Sequence, residues 1–211
     1  MLKRSLMLVA AWLLLPAIAS AAACESWPSI VLPADRPALT TPVQQVLDQL
    51  PARPRSASPD YLADETAALD EARYLLQRAL HPLPLGDIHG AWRVRSIQAG
   101  RTGAYAYPHF AGRIDRTACG FRFSKTHGSQ RRSGTLLPMA EDDRVLAFLG
   151  AFTVNDDPTR PYGPDNRPLG EPAGPDGPVN SVGRLLRIGP HTLLMLLDVG
   201  DNGFELYRLE R

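Results

Sequence analysis

The sequence has only two cysteines, Cys24 and Cys119, and no Cys-x-x-Cys, His-x-His or His-Glu-x-x-His pattern, so none of the usual zinc frameworks is available. Charge of one sign is equally scarce. The 23 Lys and Arg face 22 Asp and Glu. That balance is too even for a nucleic-acid binder, which needs a basic excess to displace counterions, or for a polybasic membrane-surface protein. No Gly-x-Ser-x-Gly elbow is present, and no P-loop lysine followed by a hydroxyl. Asp156, Asp157, Asp198 and Asp201 lie in turn sequences, where aspartate favours tight bends for local reasons. No catalytic residue, metal site or cofactor follows from these patterns.

The N-terminus is distinctive. Lys3 and Arg4 precede an apolar stretch from Leu6 to Ile18 and small residues from Ala19 to Ala23, the three regions of a secretory signal. The stretch contains Pro16 and is shorter than the ~20 residues a spanning helix needs. No later run reaches that length, so no transmembrane segment is expected after processing. Residues 1–23 are read as a removed signal, and the mature protein is expected in the periplasm or secreted. A minor alternative is a lipid anchor on Cys24, although Ala21-Ala22-Ala23-Cys24 lacks the large aliphatic residue of a lipoprotein signal. Without that lipid, Cys24 and Cys119 form a candidate disulfide in an oxidising compartment.

Residues 24–57 form a proline-rich arm, with only Pro42 to Leu50 suited to a short helix. An amphipathic helix is predicted over 58–81. Ser58 is placed as N-cap and Pro59 at the first helical position, with Leu62, Thr66, Leu69, Arg73, Leu76 and Leu80 at spacings of three and four and Ala72 and Ala79 widening the buried face. It would pack on a barrel or plug its end. From Gly90 the period becomes that of strands, at about 91–98, 104–115, 119–127, 133–139, 144–153, 181–188, 191–198 and 203–210. Short turns between them favour antiparallel neighbours. The fold class is therefore mainly β: an eight-stranded antiparallel up-and-down, lipocalin-like barrel over 86–211, preceded by one amphipathic α-helix. Asn155 to Asn180, with seven prolines and four glycines, is a long loop that is either a functional lid or disordered.

Alternation also suggests a site. Opposing Asp115 to Gly120 sets Ile114 against Phe121 and aligns the apolar faces of two strands. Phe110, Phe121 and Phe123 then face inward, followed by Lys125 and His127, while His109 points away from His127. With Gln130 and Arg131 from the next turn, these residues could hold a small anionic or amphipathic ligand at a polar mouth. The alternatives are a rim where Lys125 and His127 are solvated, and a solvated hairpin whose arginines pair with Glu141, Asp142 or Asp143.

The run Gly103 to Phe110, the segment Lys125…Gly128-Ser129-Gln130-Arg131…Ser133-Gly134, Pro161-Tyr162-Gly163, and Val182-Gly183-Arg184…Arg187-Ile188-Gly189-Pro190 resemble an exported bacterial family known only as domain of unknown function 4893. The resemblance covers roughly Gly90 to Arg211. It implies export and a shared fold, and brings no activity. Family members carry cysteines in the first two strands, where Val94 and Gly112 stand in this chain. Gly90-Ala91-Trp92 also resembles the Gly-x-Trp start of lipocalin-like barrels. The expected function is non-catalytic binding of a small ligand or envelope component. The alternatives are a structural or interaction protein with a filled barrel and, third, a hydrolase-type enzyme.

Overall fold

The computed structural model describes residues 24–139, 143–167, 179–201 and 203–211. The signal segment, Glu141, Asp142 and residues 168–178 of the long loop lie outside the described residues. Eight strands close an all-antiparallel barrel in sequence order: β1 (Gly90–Gly100), β2 (Gly103–Thr117), β3 (Gly120–Lys125), β4 (Gln130–Pro138), β5 (Val145–Val154), β6 (Val179–Gly189), β7 (Thr192–Gly200) and β8 (Gly203–Glu210), with β8 pairing back onto β1. Closure pairs every strand edge.

The β2–β3 register differs from the sequence expectation by two residues. Thr117 opposes Gly120 and Ile114 opposes Phe123. A shift of two preserves which side chains face inward, so the tight Ala118-Cys119 turn sets the register and burial is unaffected.

An eight-stranded barrel is just wide enough for its own side chains to fill it. Here Trp92, Ile114, Phe123, Phe148, Met195 and Tyr207 do so, with Leu85 and Ile88 closing the lower end. Trp92 Nε1 donates to the Ile88 carbonyl at 2.9 Å. Phe123 meets Phe148 edge-on at a centroid distance of 6.0 Å, a favoured aromatic geometry. Room for Val94 comes from Gly112: a Cβ there would fall 2.5 Å from Val94 Cγ2, whereas the Phe123 ring, 3.5 Å away, would be in ordinary contact. Val94 and Gly112 are thus side by side.

The outer wall is covered twice. Four short helical pieces precede the main helix: α1 (Trp27–Ile30), a 3-10 turn (Pro33–Asp35), α2 (Arg36–Thr40) and α3 (Val43–Leu47). The arm is therefore more helical than its proline content suggested, because Pro28, Pro33 and Pro37 each stand at a first helical turn. Val31, Ala38 and Leu39 seal Leu137, Ala147, Leu149 and Val182 on the outside of β4–β6. The long helix α4 (Pro59–Ala79) lies on the wall, not in the end of the barrel. Its Ala68, Ala72, Leu75, Leu76 and Ala79 pack on outward residues such as Ile97, Leu194 and Leu206. Glu71 adds ion pairs to Arg95 (3.1 Å) and Arg208 (2.8 Å). The buried face is rotated from the predicted one: Leu62 and Thr66 are exposed, whereas Glu65 is buried. Ser58 occupies the N-cap position without a side-chain capping bond. No described helix is long and apolar enough to cross a membrane.

A disulfide joins Cys24 to Cys119 across 95 residues and fastens the start of the arm to the β2–β3 turn.

Candidate functional site

Lower interior positions are apolar, and upper ones are polar. Continuing the inward alternation upward along β1, β3, β4, β6 and β8 gives Ser96, Lys125, Arg132, Ser181 and Glu205, all buried. Arg132 sits at their centre. Its Nε donates to Ser181 Oγ (2.8 Å) and one terminal nitrogen to the Tyr207 hydroxyl (2.7 Å), while the other terminal nitrogen bonds Asp198 (2.8 Å) and pairs with Glu205 (2.6 Å). Burial opposes its charge, but Glu205, Tyr207 and Asp198 outweigh burial and raise its pKa well above the ordinary guanidinium value. Ser96 Oγ donates to Glu205, and Asp198 also accepts from Ser181 and the Val182 amide. Asp198 holds this position with a left-handed φ of 55°, uncommon outside glycine but tolerated by aspartate.

Lys125 stands beside this network. Its Nζ donates to the Gln130 carbonyl and lies 4.5 Å from the Phe110 ring centroid. Burial lowers its pKa to about 8, with Glu205 opposing the shift. Burial, with Glu205 second, also raises the Tyr107 hydroxyl.

Above the network opens a pocket of about 740 Å³. Its floor is Arg132, Asp198 and Glu205. Its sides come from the β1–β2 hairpin, including Gln98 and Tyr105, from Gly200 and Gly203 of the β7–β8 hairpin, and from Arg55 and Ser56 of the arm. Glu65 binds these parts together, accepting from the Arg55 and Ser56 amides at 2.8 and 2.7 Å. Gly103 (φ +132°) lets the hairpin approach it, since a Cβ there would fall 2.4 Å from Glu65 Oε1. Tyr105 is 52% exposed and meets Tyr107 edge-on at 4.8 Å. Four carboxylates (Glu65, Asp198, Asp201, Glu205) against Arg55 and Arg132 make the pocket acidic.

The residues nominated from sequence are dispersed. Lys125 and Gln130 adjoin the upper network, and Gln130 Oε1 accepts from Gln98 Nε2 at 3.3 Å. Phe110 is half-buried beside Lys125. Phe123 is fully buried in the packed interior with Ile114. Phe121 opposes Arg116 and Leu136 near the β2–β3 turn, at the other end of the barrel. His127 does not face inward: β3 ends at Lys125, so the alternation stops, and His127 is exposed in the loop with Nδ1 2.9 Å from Thr126 Oγ1. Arg131 points away from the interior, bonding the Gly128 carbonyl and Asp156. His109 pairs with Glu210 at 3.3 Å.

The sequence pattern puts Arg132 in a solvated hairpin and Asp198 in a tight turn, and it does not single out Ser181, Glu205 or Tyr207; the closed barrel brings all five together. A signal existed: Arg132, Gly134 and Leu136 continue one period-2 face, as do Glu205, Tyr207 and Leu209.

Residues 27–200 match the model of a family described as a domain of unknown function (DUF4893). Neither the curated proteins nor the solved structures gave a match.

Proposed function

We propose that this chain, which belongs to the DUF4893 family, is an exported, non-catalytic barrel that binds a small polar ligand at its upper mouth. The observation carrying this reading is the 740 Å³ pocket standing directly on a buried, ordered polar network. Small-molecule sites are concavities of several hundred Å³ with a few fixed polar groups. Arg132 is already held by Ser181, Tyr207, Asp198 and Glu205, so it presents an organised floor more than a free cation. With carboxylates in excess, the mouth suits an uncharged hydroxyl-rich or cationic ligand better than the anion expected from Lys125 and Arg131. Tyr105 supplies an exposed ring for stacking, and Gln98 an amide for hydrogen bonding.

Export is supported by the signal pattern at 1–23 and by the Cys24–Cys119 bridge, which suits an oxidising compartment. One sulfur cannot hold both a bridge and a lipid, so the soluble form is preferred to the lipid-anchored one. Binding is preferred to turnover because the interior serines are engaged, Ser181 with Asp198 and Ser96 with Glu205. A second reading, a structural envelope protein, draws on the lower interior, which is packed with apolar side chains below Arg132. Amide chemical-shift mapping with a small-molecule extract of the envelope tests the choice. Shifts confined to residues 98–105 and 203–206 support ligand binding; none at any concentration supports the structural reading.

A further inference from the structure

A second concavity, independent of the mouth, lies outside the barrel where the arm crosses β3–β5. It measures about 390 Å³. Leu137 and Leu149 form its floor, Ile30 and the Tyr162 ring its walls, and the Cys24–Cys119 bridge its end. The walls are fixed. The Tyr162 hydroxyl accepts from the Leu32 amide (2.8 Å) and donates to the buried Asp35 (2.6 Å), which also accepts from Asn180 (3.2 Å). These bonds tie the polar end of Tyr162 to the arm.

The rim is charged. Arg122 lies on the outer face of β3 in one cross-strand row with Thr135 and Leu149, and Arg160 comes from the loop after β5. No hydrogen bond or ion pair engages either guanidinium among the described residues, in contrast to Arg131 and Arg132. Glu25 is the one acidic lining residue, so the rim keeps a net positive charge. An apolar trough lined by two unengaged guanidiniums is complementary to a molecule with an alkyl chain and an anionic head.

The geometry points to a binding site for a free, single-chain anionic amphiphile, its chain on Leu137 and Leu149 and its carboxylate between Arg122 and Arg160. At roughly 30 Å³ per non-hydrogen atom, the share of a water in the liquid, the volume takes on the order of a dozen such atoms. A ten-carbon carboxylate has that size.

Isothermal titration of the purified, disulfide-bonded protein with decanoate below its micelle concentration tests this. We expect saturable one-to-one binding, at least tenfold tighter than for decylammonium. The Arg122→Gln/Arg160→Gln double variant should lose that tenfold preference while keeping weak binding of decanol. Thr135→Trp, which fills the trough from outside the core, should abolish both with near-ultraviolet circular dichroism unchanged. Gly200→Trp, which obstructs the mouth, should leave decanoate affinity unchanged, which separates this site from the proposed one above. The inference is overturned by equal affinity for decanoate and decylammonium, by unchanged decanoate binding in the arginine double variant, by loss of binding in Gly200→Trp, or by binding to phosphatidylglycerol vesicles with none to monomeric decanoate.

Discussion

Replacing Arg132 by Met removes the only cation that contacts both Asp198 and Glu205 among the described residues, without opening a large void. Glu205 has a side-chain exposure of 6%, and Asp198 19%. Water can reach Asp198 in part but hardly Glu205. Removing one partner of a buried ion pair leaves an uncompensated charge and costs about 3 to 5 kcal/mol, a large share of the 5 to 15 kcal/mol typical of a whole domain. A second change, Glu205→Gln, should restore part of the stability, since an amide can be buried at lower cost than a charge. Arg131→Ala is the control: its partner Asp156 is 97% exposed, and a surface pair of that kind contributes within about half a kcal/mol. Urea melts of the four proteins decide the matter. An Arg132→Met loss below about 1 kcal/mol, or a larger loss from Arg131→Ala, would refute the inward placement of Arg132.

Three further predictions use the same melts. Phe123→Ala should cost about 3 to 5 kcal/mol and Arg122→Ala within about half a kcal/mol; the opposite order would put β3 out of register by one. Reducing the Cys24–Cys119 bridge should cost up to about 4 to 5 kcal/mol for its 95-residue separation in the chain-entropy model, and thiol titration of unreduced, denatured protein should find none. Lys125 has its folded pKa lowered to about 8, below its unfolded value of about 10.4. Between these pH values the unfolded chain binds more protons, so this group makes stability rise with pH above about 8. Lys125→Met should abolish that rise and match or exceed the parent at pH 7; equal slopes in both proteins would contradict it.

The barrel was legible because period-2 alternation and turn residues mark each strand within a few positions. Apolar runs such as Leu193 to Leu197 blur that alternation, being buried on both faces: Leu193, Met195 and Leu197 fill the interior while Leu194 and Leu196 meet α4. The rotated helix face was hidden for a related reason. Glu65 is buried because two arm amides and the Gly103 turn meet its carboxylate, a long-range arrangement that helical periodicity does not contain. The polar floor is hidden by one boundary. A strand starting at 133 puts Arg132 in a turn, whereas β4 begins at Gln130 and carries Arg132 inside. Conversely, a strand running to 127 turns His127 inward, whereas β3 stops two residues earlier. Burial sets the parity of a strand, but its ends depend on neighbours that only the closed barrel provides.

Gly200 lines the mouth, and a Cβ there would meet nothing within 4 Å, so Gly200→Trp can obstruct the pocket without disturbing the floor. Native mass spectrometry of the parent and this variant, each purified from the envelope of an expressing cell, addresses the ligand directly. A small-molecule adduct on the parent, absent from a folded Gly200→Trp protein, is the predicted result; bare polypeptide mass for both, or an identical set of adducts on both, would contradict a ligand held at the barrel mouth.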